Sequence, residues 1–285
     1  MNSSFVHRSL HLKLAATAVA LLIAMPAFGD FIINDTFETD TLGQFPANWT
    51  ITPQGGVGTN GATIGVVTGV SSPPPGSQAF KLDLPTSYPT NTEGWVINRP
   101  FTPFSLSTAH PTDLGFDFRL DRIDNPAFGF GVELLTPLPL GAAEPFVNNG
   151  GYIRVAGGPA TYSIFTDASE GTTFASGLST GAWYNMTFSI HFTNDTGNGG
   201  TGFTTWTLKD SLNNVVSTTD RAFTLPSGGY TNITSVQFTD FIPGAAGESL
   251  FLDNVQISMI PEPSTMLLLD PGVWLLWRAR TGRKA

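Results

Sequence analysis

Trp183-Tyr184-Asn185-Met186-Thr187-Phe188-Ser189-Ile190-His191-Phe192 alternates without a break. Tyr184, Met186, Phe188, Ile190 and Phe192 fall on one side of an extended chain, and Asn185, Thr187, Ser189 and His191 on the other. Successive side chains of a strand point to opposite faces, so a period of two with one polar side specifies an antiparallel strand that is packed on one face and wet on the other. The same reading extends outward. Leu114, Phe116, Phe118 and Leu120 alternate with Gly115, Asp117 and Arg119; Phe80, Leu82 and Leu84 alternate with Lys81 and Asp83. Phe128, Phe130, Val132 and Leu134 repeat the pattern around glycines and Glu133, and Ala62 to Thr68 also reads as strand.

Turn-forming runs separate these segments, such as Ser71-Ser72-Pro73-Pro74-Pro75-Gly76 and Asn194-Asp195-Thr196-Gly197-Asn198-Gly199-Gly200. Helical periodicity is scarce. Many short alternating strands between such turns predict an all-β fold, an antiparallel β-sandwich or barrel. No shift of composition marks a linker between residues 30 and 260, so this stretch is expected to be one domain.

The ends read differently. Met1 to Gly29 has a basic start (Arg8, Lys13), an apolar centre from Leu14 to Met25, and Ala27-Phe28-Gly29, which offers small residues to a leader peptidase. It is read as a helical signal peptide cut between Gly29 and Asp30. Residues 261–285 begin with Pro261-Glu262-Pro263, pass through a short apolar segment and end on a basic cluster. Setting aside Arg8, Lys13, Arg278, Arg280, Arg283 and Lys284, with Glu262 and Asp270, reduces 13 basic and 22 acidic residues to 7 and 20, a domain charge of −13. An acidic body argues against nucleic acid, whose phosphates require Lys and Arg. There is no cysteine, which excludes thiol catalysis, thiolate metal sites and disulfides; a domain of this size buries a core without staples.

The tail resembles the PEP-CTERM sorting signal of bacterial exported proteins. The resemblance rests on Pro261-Glu262-Pro263-Ser264-Thr265, the apolar residues Met266 to Leu269 and Val273 to Trp277, and the closing Arg278, Arg280, Arg283 and Lys284. It implies processing at Pro261–Pro263 by a membrane-embedded exosortase, only transient contact with the membrane, and delivery to the cell surface or extracellular space of a bacterial envelope. Asp270-Pro271 interrupts the apolar run, which falls short of the roughly 20 residues a spanning helix needs.

Within the domain, three stretches resemble secreted jelly rolls. Asp35-Thr36-Phe37-Glu38 with Leu42 to Trp49 is similar to their opening segment. Gly181 to Met186 is similar to a late central strand of concanavalin A-like, laminin-G-like domains, and Leu252 to Ile257 to their closing strand. The resemblance implies a concanavalin A-like jelly roll whose first and last strands pair; a galactose-binding-like jelly roll shares the same opening and closing phrases.

Catalytic patterns are weak. A jelly-roll glycosidase sets two carboxylates across a cleft, one to protonate and one to attack, and the spacing Glu-x-Asp-x-x-Glu does not occur. Asp117, Asp121 and Asp124 with Arg119 and Arg122 read as a solvated, charge-balanced surface. Gly177-Leu178-Ser179-Thr180-Gly181 fits a hydrolase elbow but precedes a strand, not the helix that elbow needs. Gly56 to Gly61 fits a dinucleotide fingerprint and is likewise followed by strand. The domain has only His110 and His191, too far apart in sequence to form a helical metal motif.

Calcium is the cofactor to consider, since it takes oxygen ligands. Asp253 shares its alternation phase with Phe251, Val255 and Ile257, so an unbroken strand would bury its carboxylate, at a cost that calls for a cation or N–H donors. Asp35, Glu38 and Asp40 lie in the segment expected beside it and complete a candidate structural site. The alternative is a bulge at Asp253-Asn254 that turns the acid outward, or a carboxylate met by local backbone. For glycans the candidate platforms are Trp49, Trp95, Trp183, Trp206, Tyr152, Tyr162, Tyr230 and above all Tyr88, between Pro85 and Pro89. Together these features predict an exported, non-catalytic, structural or adhesive protein in contact with exopolysaccharide. The alternatives are a polysaccharide-active lyase or glycosidase, and a matrix protein without ligand.

Overall fold

In a computed structural model the chain is described over residues 30–53, 63–72, 76–84, 95–108, 111–123, 129–135, 152–157, 160–165, 172–195, 199–226, 233–241 and 248–260. All the strands belong to one compact unit, Asp30–Met259. In chain order they are β1 (Asp30–Asp35), β2 (Thr50–Pro53), β3 (Thr63–Ser72), β4 (Gly76–Leu84), β5 (Trp95–Phe104), β6 (Thr112–Ile123) and β7 (Gly129–Leu135). There follow β8 (Tyr152–Gly157), β9 (Thr161–Phe165), β10 (Thr173–Ser179), β11 (Trp183–Asp195), β12 (Gly199–Asp210), β13 (Val215–Pro226), β14 (Ile233–Phe241) and β15 (Glu248–Met259).

These strands make two antiparallel sheets packed as a jelly-roll sandwich. The larger has eight strands in the order β13-β12-β11-β6-β15-β4-β3, with β1 also paired to β15. The smaller has seven, in the order β10-β9-β8-β7-β14-β5-β2. Half of the neighbours along each sheet are consecutive in sequence and half are not, so the chain crosses between layers and both sheets are closed by late strands, β15 and β14.

The alternation read from β11 and β6 is what holds the layers together. Tyr184, Met186, Phe188, Ile190 and Phe192 of β11, and Leu114, Phe116, Phe118 and Leu120 of β6, are all buried in one core with Trp206, Phe80, Leu82, Val236 and Phe238. Aromatic rings bridge the sheets. Phe116 meets Phe238 edge-on at 5.2 Å, Phe174 meets Trp206 at 5.7 Å, and Tyr162 meets Tyr184 at 6.3 Å. Each such side chain contributes roughly 1.5–3 kcal/mol by leaving water, and ring geometry adds about 0.5–1.5 kcal/mol per pair. Tyr184 also anchors the turn before its own strand, its hydroxyl accepting the Ser179 N–H at 2.9 Å. The Tyr162 hydroxyl is pushed well above its ordinary pKa, by burial first and by Tyr184 second, and so stays a neutral phenol in the core.

The first and last strands pair as the jelly-roll resemblance implies. β1 lies antiparallel to the final part of β15, with Asp35 opposite Val255 and Ile33 opposite Ile257. The first part of β15 instead pairs β4 on the same edge, Leu252 standing opposite Phe80. One strand thus exchanges neighbours midway, and residues 253 and 254 occupy the junction.

Candidate functional site

At that junction β15 bulges. Against β6 the register slips between Asp253 and Gln256, and Asn254 takes a left-handed backbone with φ 49°. Of the readings left open for Asp253, the bulge and the carboxylate met by local backbone are both realised. Asp253 does not share a phase with Val255 and Ile257: it stands opposite Asp117 on the outer side, while those two point into the core. It is nevertheless only 1% exposed, and its Oδ1 accepts the Asn254 N–H at 2.7 Å.

With the bulge in place, the outward rows of three adjacent strands line up. Phe251 of β15, Arg119 of β6 and Trp183 of β11 form the first row. Asp253, Asp117 and Asn185 form the second; Gln256, Gly115 and Thr187 the third; Ser258, Asp113 and Ser189 the fourth. The first row closes over as a small apolar cluster in which Trp183 and Phe251 pack with Val70 and Ala79. Arg119 lies 4.9 Å from the Phe251 ring centre and 6.0 Å from that of Trp183, and its guanidinium is held by Asp121.

Below that cap the remaining rows open into a groove of about 530 Å³. Its lining includes Asp113, Gly115, Asp117, Asn185, Thr187, Asn254, Gln256 and Ser258, with Trp183 and the hairpin tip Asp210–Asn213 at one end. Gly115 is the floor. A Cβ at that position would meet nothing nearer than 3.8 Å, so the fold does not require a glycine there. What the missing side chain provides is depth; a glycine inside a strand marks a bulge or a close approach by ligand or backbone, and Gly115 stands opposite Gln256 where the bulge ends.

The walls are fixed by a chain of polar contacts. The Asn185 Nδ2 donates to Asp117 Oδ1 at 2.7 Å, the Asn254 Nδ2 donates to Asp117 Oδ2 at 2.7 Å, and the Thr187 hydroxyl donates to Asn185 Oδ1 at 3.2 Å. Asp117 is therefore not the solvated surface acid that its sequence neighbours suggest. It is 5% exposed and clamped between two amides drawn from strands on either side. Two further groove atoms stand differently. Among the described residues, the indole N–H of the 6%-exposed Trp183 and the Oδ1 of Asp113 have no hydrogen-bond partner. At the hairpin end, Asp210 accepts the backbone N–H groups of Leu212 and Asn214 at 2.9 Å each and the Asn214 amide at 3.0 Å. Those bonds hold its pKa below the ordinary carboxylate value, the Asn214 side chain first.

The other acids proposed from sequence are placed separately from this groove. Asp35 accepts the Phe37 N–H at 3.2 Å and the Trp49 indole N–H at 2.8 Å, and pairs with Arg99 at 3.4 Å. Glu38 accepts the Gln78 N–H at 3.0 Å, and Asp40 the Ala47 N–H at 2.9 Å. Asp35 ends the strand paired with β15, and the three acids are spent on separate contacts, Asp35 with Trp49 and Arg99, Glu38 with β4 and Asp40 with its own loop. Among the described residues no three His, Asp or Glu side chains converge to hold a metal ion. Asp35, Glu38, Asp40 and Asp253 are not brought together as such a group. Tyr88, Gly29, Pro261, Glu262 and Pro263 lie outside the described residues. Of the aromatic candidates, Trp49 and Trp206 are core residues, and Trp183 is the one that borders the groove.

Sequence reading missed Asp117, Asn185, Asn254 and Gly115 as a group. The signal was present in part: Asn185 and Asp117 sit on the polar phases of their own strands. Nothing local pairs those two strands, which are 68 residues apart at the contact.

By sequence, no protein-family profile and no curated protein matches the chain. Solved structures similar to it include a carbohydrate esterase of the Shiga toxin-encoding bacteriophage phi24B, at 14% identity and TM-score 0.46, covering 81% of this chain and 98% of that one. An endo-1,3-beta-glucanase from Streptomyces sioyaensis matches at 11% identity and TM-score 0.46, over 83% of this chain and 98% of its own. Lectin II from Ulex europaeus matches at 11% identity and TM-score 0.41, over 81% and 99%. At such identities and TM-scores a likeness carries no functional argument, and what the groove does has to be read from its own residues.

Proposed function

We propose that the protein is an exported, non-catalytic polysaccharide-binding sandwich whose binding surface is the groove on the outer face of β15, β6 and β11. The observation that carries this is the construction of that groove: a glycine floor, amide and hydroxyl walls held in place by the Asp117 clamp, and an aromatic end at Trp183. Sugars present hydroxyls at close spacing along an apolar ring face, and preorganised amides and carboxylates beside an aromatic are the groups that recognise them. Fixing those groups before the ligand arrives lowers the ordering cost of binding.

The carboxylate arrangement supports binding over hydrolysis. Both oxygens of Asp117 already accept amide N–H groups, and Asp210 is occupied by its own turn. Asp113 stands four residues from Asp117 on one strand, about 13 Å by strand rise, beyond the roughly 5–9.5 Å that glycosidic cleavage uses. The leader at Met1–Gly29 and the tail at Pro261–Pro263 support delivery through an exosortase to the surface or matrix, where such a domain would meet exopolysaccharide.

Co-sedimentation of the full chain with insoluble polysaccharides tests the binding reading, with an assay of the supernatant for new reducing or unsaturated ends. Saturable sedimentation without product is expected. Product formation would transfer the protein to the enzyme class, and absence of sedimentation with every polysaccharide would leave only a matrix role. Glu262→Ala should retain the chain in the membrane or change its C-terminal mass; an unchanged distribution and mass would reject sorting.

A further inference from the structure

Resting on that reading of the groove, we infer that it selects a glycan chain bearing hydroxyls or amines and rejects one bearing carboxylates or sulfates. The charged residues lining the groove are Asp113, Asp117 and Asp210, and among the described residues no Lys, Arg or His lines it. The nearest guanidinium, Arg119 in the adjoining row, is engaged by Asp121 and by the Phe251 ring. A uronate or sulfate laid along this floor would face three fixed carboxylates, while Lys209, opposite Asn185 on the outer side of β12, stands outside the lining. Specific sites use repulsion against wrong partners as well as contacts to right ones.

The two unpartnered atoms define the recognition. Asp113 Oδ1 is a buried acceptor with no donor, and Trp183 Nε1 a buried donor with no acceptor, among the described residues. A sugar hydroxyl or ammonium donating to Asp113 would make a charge-assisted bond, and a ring or hydroxyl oxygen would take the indole N–H. These positions bracket the groove. Asp113 stands opposite Ser189 and Trp183 opposite Arg119, so they are separated by six residues of β6, about 20 Å of strand. That span fits an oligosaccharide laid along the strand, not a single sugar.

Titration calorimetry of the full chain against defined oligomers tests this. The probes are neutral gluco-, galacto- and manno-oligosaccharides, glucosamine oligomers, and oligouronates from alginate, each from dimer to hexamer at physiological ionic strength. One-to-one binding of a neutral or glucosamine oligomer, tightening with length, is expected, with no heat from oligouronates. Asp113→Asn and Trp183→Phe should each weaken binding about fivefold, the loss of one hydrogen bond. Asp113→Lys should abolish that binding and admit the oligouronate. Thermal melting checks that each variant is folded, and Asp113→Asn alone suffices if the tryptophan variant is not. Oligouronate binding by the wild type, or an unchanged preference in the folded Asp113→Lys variant, would overturn the selectivity while leaving a glycan site in place. No heat with any oligomer would overturn the selectivity and the polysaccharide reading together.

Discussion

The inner and outer faces of β15, β6 and β11 are made by the same three strands, residue alternating with residue, and they are filled on opposite principles. Inside, large apolar side chains fill the core beside the buried Thr112, and Phe116 by itself touches the rings of Phe118, Phe188 and Phe238. Outside, the middle rows carry a glycine, two amides and a clamped carboxylate around a groove. The inner face is determined by packing density, which leaves little choice of residue. The outer face is free of that constraint, so a buried acid or a strand glycine there reflects something other than the needs of the fold.

Phe116→Ala breaks the comparison on its inner side and has the largest expected effect. Removing this ring should cost about 3–5 kcal/mol, read as a lower denaturant midpoint with an unchanged slope. A loss under about 1 kcal/mol would mean that the two sheets are not held by the rings that bridge them.

Asp117→Asn tests the outer side. One oxygen of the clamp becomes an NH2 group facing an amide that also donates, and leaving a buried donor unmet costs about 1–3 kcal/mol. Stability should fall by that amount, and glycan binding should fall with it because Asn185 and Asn254 lose their common anchor. Unchanged stability would show that the clamp is incidental.

The inner face was open to sequence reading and the outer face was not, for a physical reason. Alternation in Tyr184–Phe192 and Leu114–Leu120 is local, and a strand's buried side follows from it whatever the strand pairs with. The Asp117 clamp depends on which strands become neighbours, and on a bulge that shifts β15 by one residue. An unbroken strand at Phe251–Ile257 put Asp253 in the core and suggested calcium; left-handed Asn254 changes the phase and provides the N–H that meets Asp253 instead. The pairing of first and last strands was legible because jelly rolls close that way. The groove beside it was not, because Asp113, Asn185 and Gln256 each look like ordinary wet positions until the sheet assembles them.

Gly115→Ala sharpens the contrast in the opposite direction. An added Cβ meets only ordinary contacts, the Met186 carbonyl and Thr187 hydroxyl at 3.8 Å. Alanine inside a strand removes the conformational freedom that glycine gives the unfolded chain, so the variant should be more stable by roughly 0.5–1 kcal/mol. Its methyl group nevertheless fills the groove floor, and oligosaccharide binding should weaken. Gly202 is the contrasting case, since a Cβ there would lie 2.0 Å from the His191 carbonyl and 2.8 Å from the Phe223 ring, so Gly202→Ala should destabilise the pairing of β12 with β11 and β13. If Gly115→Ala left binding unaltered, the depth of the groove would have no role in recognition.

The smallest effect belongs to Asp210, at the groove's hairpin end. Its carboxylate is exposed, yet three N–H donors from Leu212 and Asn214 lower its pKa in the folded state. A lowered folded pKa means that the unfolded chain binds the proton more readily, so its contribution to stability is present above the unfolded value near pH 4 and is lost as pH falls through the folded value. Acidification from about pH 4 downward should therefore loosen the β12–β13 turn in the wild type. Asp210→Asn, which cannot titrate, should start slightly less stable at neutral pH and lose less on acidification. Because Asp210 lines only the hairpin end of the groove and its oxygens are taken by its own turn, affinity for neutral oligosaccharides should change little between the two proteins above about pH 5, whereas amide exchange at Leu212 and Asn214 should speed up in the wild type as the carboxylate protonates. Exchange at those two amides that stays constant across the acid range would show that the turn is held by its backbone alone.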